Sequence, residues 1–290
     1  MSIKRFIGCL LVKQGIVVQS IGFEKYLPVG KPEIAARFFD EWGVDETVLL
    51  DIDASKENRV IDPDLVKKVS RAGFAPVTAG GGIRDTEDIR VLLEAGVDKI
   101  CINQLASRDL AMVEEASRLF GAQCIIGSVD VRRTESGAYS VYTDSGSRDC
   151  GADPVSYAKG LVDAGVGEIF LTSIDRDGSR AGYDMELIKM VAPELSVPVI
   201  VCGGAGNPAH LEEALKLDSV SAVAAANFLH HSEQSISVMK SWLRNADADV
   251  RGEYHAMYRN FPFDEAGRVA KLPDDELIEQ SFEFIEDEPI

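Results

Sequence analysis

Short apolar segments alternate with amphipathic segments along most of the chain, and this alternation limits the possible folds more than any other feature. The apolar segments have the length of strands and are apolar throughout, which predicts parallel strands buried on both faces. There are eight of them: Phe6–Val12, Val48–Asp53, Ala75–Gly80, Lys99–Asn103, Cys124–Val131, Glu168–Asp175, Pro198–Gly203 and Ala222–Phe228. Eight amphipathic segments alternate with them: Pro32–Trp42, Pro63–Ala72, Thr86–Ala95, Leu110–Phe120, Pro154–Ala164, Met185–Val191, Pro208–Leu217 and Glu233–Leu243.

Capping residues mark the starts of several amphipathic segments. Asp62, Asp153 and Asn207 each stand directly before a proline, an order of residues that is typical of a helix start. Eight consecutive strand–helix units predict an α/β fold, a (β/α)8 TIM barrel. A doubly wound open sheet is the alternative, although it rarely has eight even units. We expect the barrel to occupy residues 1–245 and an acidic C-terminal extension to occupy residues 246–290.

The chain repeats part of itself in its second half. Leu49–Asp53 is echoed by Leu171–Asp175 at an offset of 122 residues, and Gly80–Gly82 is echoed by Gly203–Gly206 at an offset of 123. Such a repeat predicts two half-barrels related by a two-fold axis. Each half would present the same kind of site at the carboxyl ends of its strands.

The acidic composition excludes some classes of function. The chain has 30 basic and 48 acidic residues and a net charge of −18, which argues against a nucleic-acid binder, since that class needs a basic face. No apolar run approaches the ~18 residues of a membrane span, and Phe6–Val12 is too short for a signal-peptide core, so we expect a cytoplasmic protein. Five Cys without a CxxC pair and four His without ligand spacing predict free thiols and no metal site. We expect no cofactor.

The end of the chain departs from the barrel pattern. From Asp264 to Ile290 there are ten acidic residues and two basic ones. We expect a solvated acidic tail. The alternative is a docking segment, because Leu277–Ile285 is apolar enough to pack on another surface.

Two glycine clusters are candidates for phosphate binding. Each follows a predicted strand and precedes a predicted helix, where a close backbone approach and a helix dipole of about half a charge favour anions. Their matching positions in the repeat predict two phosphate sites on opposite sides of one mouth. The predicted binding residues are Gly81, Gly82, Asn103, Gly204, Ala205, Ala225 and Ala226. The alternative is a pair of tight turns that hold no ligand.

Carboxylates at strand ends are candidates for acid–base chemistry. They are Asp51, Asp53, Asp130, Asp175 and Asp177. Asp130, at the end of the fifth barrel strand, is the predicted catalytic residue. Asp53 and Asp175 are equally compatible with anchoring loops at the barrel rim.

Several segments resemble the cyclase subunit of imidazole glycerol phosphate synthase. They are Gly8–Leu10, Leu50–Ala54, Gly80–Ile83, Leu171–Gly178 and Cys202–Gly206, and the resemblance extends from about residue 3 to residue 245. It implies a barrel that docks a glutaminase subunit, receives ammonia through its interior and acts on a substrate with two phosphate ends. In histidine biosynthesis such a barrel closes an imidazole ring and releases an aminoimidazole carboxamide ribonucleotide, with two Asp residues as general acid and base.

The resemblance also implies an ammonia gate at the barrel floor. The family has a salt-bridged ring there, which matches Arg5, Glu46, Lys99 and Glu168, and Asp98 matches its contact residue for the glutaminase. The complete ring implies that ammonia transfer and a heterodimer with a glutaminase are retained. The alternative is that these charges only plug the barrel floor.

One catalytic position departs from the family pattern. Leu11 stands where the family has the Asp of its first strand, and the loss of one acid–base group typically costs ~10²–10⁴ in rate. Ala226 also departs, in the second phosphate site. These changes beside a complete gate predict a changed acceptor, as in a branch of the family that accompanies surface-polysaccharide genes. In that branch, ammonia helps to convert an N-acetylated sugar into an acetamidino sugar, and Asp51 and Asp177 would position a phosphorylated or nucleotide-sugar substrate.

Three functions follow from these observations. The first is an ammonia-using synthase specialised for an acetamidino sugar. The second is the cyclase subunit of histidine biosynthesis itself, with Leu11 tolerated. The third, from another class, is a non-catalytic barrel that binds and activates a glutaminase, although Asp130 and both glycine clusters would then have no purpose.

Overall fold

The computed structural model describes residues 3–230, 232–252 and 261–270, together with Tyr258, Pro273 and Asp275. Twelve strands lie in these three ranges: β1 (Arg5–Lys13), β2 (Ile16–Ile21), β3 (Lys25–Gly30), β4 (Glu46–Asp51), β5 (Val77–Gly80), β6 (Lys99–Ile102), β7 (Ile125–Arg133), β8 (Tyr139–Thr143), β9 (Arg148–Asp149), β10 (Glu168–Ser173), β11 (Val199–Cys202) and β12 (Ala222–Ala225). Nine α-helices lie in the same ranges: α1 (Pro32–Glu41), α2 (Pro63–Ser70), α3 (Thr86–Glu94), α4 (Gln104–Arg108), α5 (Leu110–Phe120), α6 (Pro154–Asp163), α7 (Met185–Val191), α8 (Pro208–Leu215) and α9 (Ser235–Asn245).

Eight of the strands are parallel and close into a barrel. Their order around the barrel is β1, β4, β5, β6, β7, β10, β11 and β12, and the pairing of Arg5 in β1 with Ala222 in β12 closes the circle. This closure confirms the predicted (β/α)8 TIM barrel and excludes the open sheet. Each predicted barrel strand and each predicted helix overlaps an observed one, with ends that differ by a few residues.

Side-chain caps explain where four of the helices begin. Side-chain oxygens of Asp62, Asp85, Asp153 and Asn207 accept hydrogen bonds from backbone N–H groups in the first turns of α2, α3, α6 and α8. These N–H groups have no partner within the helix, so the caps satisfy donors that would otherwise be unpaired. As a result, α3 starts four residues after Gly82, and α8 starts two residues after Gly206.

Two antiparallel hairpins at the mouth were not predicted. β2 and β3 continue from β1, and β8 and β9 continue from β7, so the first barrel strand of each half is extended by a hairpin. The β1–β2 turn consists of Gln14 at φ +50° and Gly15 at φ +76°. Positive φ at both positions is typical of the tight turn that joins two hairpin strands.

The two halves repeat more regularly than the sequence indicated. β4 and β10 start 122 residues apart, and so do Gly81 and Gly203, the residues that follow β5 and β11. A Cβ atom on either glycine would lie 2.6 Å or less from the last carbonyl oxygen of β4 or β10. The expected offset of 123 for the glycine clusters is therefore wrong: Gly80, the last residue of β5, is equivalent to Cys202 and not to Gly203.

The barrel interior is apolar between its floor and its mouth. Its buried side chains come from alternate positions of the barrel strands and form a cluster separate from the core between the barrel and the helices. The members are Ile7, Cys9, Val48, Cys101, Ile126, Phe170, Ile200, Ala222 and Ala224. In the described part of the chain, no helix combines the length and the apolar character needed to cross a bilayer.

Described parts of the C-terminal extension contact the barrel. The N–H of Lys4 donates to the carbonyl oxygen of Asp249 at 3.0 Å, and Lys4 and Val250 form a parallel bridge beside the start of β1. A turn at residues 261–270 is closed by an antiparallel bridge between Phe263 and Val269. The apolar run Leu277–Ile285 lies outside the described residues.

Candidate active site

A cavity of about 120 Å3 opens at the mouth, where the carboxyl ends of the barrel strands meet. Seven of the residues predicted to catalyse or bind line this cavity: Asp51, Gly81, Gly82, Asn103, Asp130, Asp177 and Ala226. Three others lie outside its lining. Gly204 and Ala205 belong to the loop after β11, and Ala225 is the buried last residue of β12.

Asp130 lies in the cavity wall and is held by neighbouring side chains. Nδ2 of Asn103 donates to its Oδ2 at 3.1 Å, and the hydroxyl of Ser128 donates to its Oδ1 at 3.3 Å. Burial raises the pKa of Asp130 to about 7, although hydrogen bonds from Ser128 and Thr172 oppose the rise. A carboxyl with this pKa is about half protonated at neutral pH, so it can either give or take a proton.

Asp177 joins the β2–β3 hairpin to the loop after β10. Its Oδ2 accepts hydrogen bonds from the hydroxyl of Ser20 at 2.6 Å and from the N–H of Phe23 at 3.3 Å. Burial raises the pKa of Asp177 to about 6, and these hydrogen bonds oppose the rise. The carboxyl therefore holds the hairpin over the cavity that it also lines.

Asp51 uses both of its oxygens within the protein. Oδ1 accepts hydrogen bonds from the N–H groups of Asp53 and Ala54 at 3.0 and 3.1 Å, and Oδ2 lies 2.6 Å from Nη1 of Arg59. This arrangement fixes the loop after β4. Asp53 and Asp175 also bond to neighbouring rim elements, which agrees with the anchoring alternative.

The glycines after β5 and β11 form two cradles that other residues cannot form. Gly82 has φ +65°, and a Cβ atom there would lie 1.8 Å from the carbonyl oxygen of Arg59. Gly204 has φ +106°, and a Cβ atom there would lie 2.1 Å from the carbonyl oxygen of Gly182. We call the Gly81–Gly82 loop the first cradle and the Gly203–Gly206 loop the second cradle. Each leads into a helix N-terminus, which is the environment that favours a phosphate.

Leu11 occupies the position in the first half that Asp130 occupies in the second. Leu11 pairs with Leu50 across β1 and β4, and Asp130 pairs with Thr172 across β7 and β10. Leu50 and Thr172 are 122 residues apart and therefore equivalent. The cavity wall is thus apolar at Leu11 and Leu50 and polar at Asp130 and Thr172.

Four charged side chains form a closed ring at the barrel floor. Nη1 of Arg5 lies 3.0 Å from Glu46, and Arg5 also bonds to Glu168 through Nη2. Nζ of Lys99 lies 2.9 Å from Glu46 and 3.1 Å from Glu168. The glutamates are 2% and 6% exposed, and the hydroxyl of Thr78 donates to Glu46 at 2.6 Å. Burying these carboxylates is tolerable because each one has two cationic partners.

Asp98 is exposed at the same end of the barrel, directly before Lys99. Its Oδ2 accepts a hydrogen bond from the N–H of Val77 at 2.8 Å. The side chain is therefore fixed at the floor with part of its surface free to contact another molecule.

Several polar residues of the cavity were missed. Ser128 shares a strand face with Asp130, two residues away, so the period of two in a strand gave a usable signal. Thr172 is equivalent to Leu50 in the other half of the barrel. Its polarity stands out only when the two halves of the sequence are compared. Ser20 lies in the hairpin that was not predicted, so nothing placed it near the mouth.

The chain is similar to proteins of one family. A family profile described as "Histidine biosynthesis protein" matches residues 5–235. A putative imidazole glycerol phosphate synthase subunit hisF2 of Vibrio vulnificus (strain YJ016) is 42% identical over 264 residues, which cover 91% of this chain and 97% of that protein. The imidazole glycerol phosphate synthase subunit HisF of Hydrogenobaculum sp. (strain Y04AAS1) is 42% identical over 248 residues, covering 86% and 98%.

Proposed function

The chain belongs to the histidine biosynthesis protein family as a HisF-type cyclase barrel, and from this premise we propose that it is the synthase subunit of a glutamine amidotransferase complex. A glutaminase partner releases ammonia at the barrel floor, and the barrel adds that ammonia to a phosphorylated acceptor at the mouth. The reaction we propose first is the one named in the descriptions of both relatives, that of imidazole glycerol phosphate synthase.

The observation that carries this proposal is the continuity from floor to mouth. The ring of Arg5, Glu46, Lys99 and Glu168 leads into an apolar interior, and the interior leads into the cavity that Asp130 lines. Neutral ammonia passes through an apolar interior at a lower cost than ammonium, because burying a charge is expensive. Passage requires one ring side chain to swing aside, and Lys99 has the flexible chain for this movement.

In this proposal Asp130 is the catalytic acid–base group. Ammonia gains a positive charge when it attacks an electrophilic carbon of the acceptor, and Asp130 in its ionised form takes the excess proton. Protonated Asp130 then returns a proton to the leaving group. A pKa near the working pH favours both steps, because both forms are then populated.

The two cradles support an acceptor with two phosphate groups. Both present backbone that only glycine can form, and both precede a helix N-terminus. We propose that Gly81 and Gly82 bind one phosphate, and that Gly204 and Ala205 bind the other. Asn103 then serves mainly to orient Asp130, to which it donates a hydrogen bond.

Leu11 supports a second candidate, the amidation of an N-acetylated sugar. With Leu11 opposite Asp130, the cavity lacks the paired acid–base group that the histidine enzyme uses. Amidation requires ammonia to attack an activated acetamido carbon, whose oxygen then leaves together with its activating group. A single carboxyl can take the proton from the attacking nitrogen and return it to the leaving oxygen. The acceptor would then be a nucleotide sugar whose diphosphate binds a cradle.

An assay with excess ammonium salt separates these candidates, because ammonium replaces the glutaminase partner. The chain is given the ribulosyl-formimino bisphosphate substrate, and separately an N-acetylated nucleotide sugar, with Asp130→Asn as the inactive control. Turnover of the bisphosphate that Asp130→Asn abolishes supports the first candidate. An ammonia-dependent product from the sugar alone supports the second. Absence of both products, together with stimulation of a glutaminase in a separate assay, would contradict both candidates and indicate a non-catalytic barrel.

We also propose that the catalytic domain ends near residue 245, where α9 ends, and that residues 246–290 are a separate extension. The family profile stops earlier, at residue 235. The alignment with the Vibrio vulnificus relative covers 264 residues of this chain, so it reaches past residue 245 and includes part of the extension.

A further inference from the structure

The C-terminal extension reaches the mouth of the barrel, although it starts at the floor. Its first described residues lie beside Lys4, at the start of β1. Tyr258 lies along α9: its N–H donates to the hydroxyl of Ser241 at 3.2 Å, and its own hydroxyl bonds to Gln234. Residues 261–270, which we call the C-terminal turn, lie against the start of α8. Described contacts thus occur at the floor, along α9 and at the mouth.

Hydrogen bonds within the C-terminal turn hold it together. Oδ1 of Asp264 accepts hydrogen bonds from the N–H groups of Ala266 and Arg268, both at 2.9 Å. Oδ2 of Asp264 lies 2.7 Å from the Arg268 guanidinium, and these hydrogen bonds lower the pKa of the Asp264 carboxyl. The N–H of Ala270 donates to the carbonyl oxygen of Pro262 at 2.8 Å.

One glycine brings the turn into contact with the barrel. Gly267 is buried, has φ +75°, and lies so close to Pro208 that an added Cβ atom would be 2.4 Å from its Cδ. Pro208 is the first residue of α8 and is itself buried. It follows the second cradle directly, separated from Gly206 only by the capping residue Asn207.

From these contacts we infer that the C-terminal turn is a positioning element for the second cradle, and this inference rests on the proposed function of that cradle. Pressing on Pro208 fixes the first turn of α8. Pro208 has no N–H and the N–H of His210 donates to Asn207, so the helix dipole and the loop backbone before α8 are what attract the anion. The first cradle precedes α3, and no described residue of the extension contacts it. The turn therefore tightens phosphate binding at one side of the mouth only.

The test uses inorganic phosphate as the probe and the full chain. Amide resonances of Gly82 and Gly204 report binding at the first and second cradles separately in a phosphate titration by NMR. In Gly267→Ala we expect the dissociation constant at the second cradle to rise about tenfold, the equivalent of one lost hydrogen bond. The value at the first cradle should stay unchanged.

Three further variants make the test specific. Asp264→Ala removes the acceptor inside the turn and should act like Gly267→Ala, whereas Asp264→Asn keeps an oxygen at that position and should bind like the wild type. Gly137→Ala is the control for backbone strain, because Gly137 has φ +86° but open space around it. Thermal unfolding of each variant verifies that the barrel is intact.

The outcomes are distinguishable. If the wild type binds phosphate at both cradles and Gly267→Ala and Asp264→Ala leave the second one unchanged, the inference is wrong while the proposed phosphate sites stand. Equal weakening at both cradles would also overturn it, because the turn would then support the barrel in general. If the wild type binds phosphate at neither cradle, the proposed sites fail and the inference fails with them.

Discussion

Replacing Asp130 by Asn should make the folded chain more stable at alkaline pH while it removes the proposed acid–base group. The pKa of this carboxyl is about 7 in the folded chain and ~3.9 in an unfolded one. The folded state therefore binds more protons between these values, so the free energy of unfolding falls as the pH rises through that window. Asn cannot ionise, and its amide oxygen and nitrogen can still bond to Asn103 and to Ser128.

The size of the effect follows from the two pKa values. A difference of about 3 in pKa corresponds to about 4 kcal/mol of lost stability above pH 8, which is an upper bound. Integration between pH 6 and pH 8 gives a loss of about 1.4 kcal/mol that the wild type suffers and Asp130→Asn does not. Asp177 adds its own loss, but its pKa of about 6 confines most of that loss to lower pH, and it is common to both proteins.

Urea unfolding at pH 6, 7 and 8 measures this difference. Asp149→Asn is the control, and its effect on stability should have the opposite sign. Hydrogen bonds from Ser140 and Gly151 lower the pKa of Asp149, so its ionised form stabilises the folded chain. That variant should lose stability at neutral pH. If the stability difference between Asp130→Asn and the wild type stays constant from pH 6 to pH 8, the carboxyl is not held near neutrality, and the acid–base role proposed for it loses its physical basis.

Three further substitutions test the gate, the first cradle and the position of Leu11, where the chain departs from the family pattern. Lys99→Met leaves the two ring glutamates with a single cation, so we expect the free energy of unfolding to drop by about 3 kcal/mol. Glutamine-dependent activity should fall while ammonium-dependent activity persists. Equal loss of both activities would argue against a gate. Gly82→Ala places a methyl group against the backbone of Arg59 and should abolish phosphate binding at the first cradle. Gly15→Ala is its control, because Gly15 has φ +76° in open space. We expect this control to lower the free energy of unfolding in urea by only about 1 kcal/mol. Leu11→Asp restores a second carboxyl and should raise turnover of the bisphosphate substrate by ~10²–10⁴ if one missing group limits the wild type; an unchanged rate would mean that other parts of the cavity determine the acceptor.

The barrel was predictable because its signals are local. Apolar runs, caps such as Asp62 before a proline and the repeated glycines each follow from a few neighbouring residues. The hairpins were missed although Gln14-Gly15 stands between two apolar runs and predicts a two-residue turn. The interpretation of Phe6–Val12 as a complete barrel strand concealed the continuation into Ile16–Ile21.

The site was less predictable because its properties depend on contacts between distant residues. Asp51 bonds to Arg59 and to the loop after β4, and its position at a strand end did not indicate these contacts. The raised pKa of Asp130 depends on burial that exists only in the closed barrel. The contact of Gly267 with Pro208 joins residues 59 positions apart, and no pattern in the acidic extension indicated it.

The two-fold scaffold carries an asymmetric cavity, and the asymmetry bears on the choice of acceptor. Leu11 and Asp130 are equivalent by strand register, as are Leu50 and Thr172, so the first half contributes an apolar surface where the second contributes one carboxyl and one hydroxyl. Ring closure with bond cleavage needs proton transfers at two sides of the substrate. Addition of ammonia with loss of one oxygen needs them at one side, where a single carboxyl with a pKa near 7 takes a proton and returns it. Among the described residues, Asp177 is a second carboxyl with a raised pKa at the cavity, and moving it to the substrate would release the hairpin that it holds. Leu11 is therefore the residue that best distinguishes the two candidate reactions.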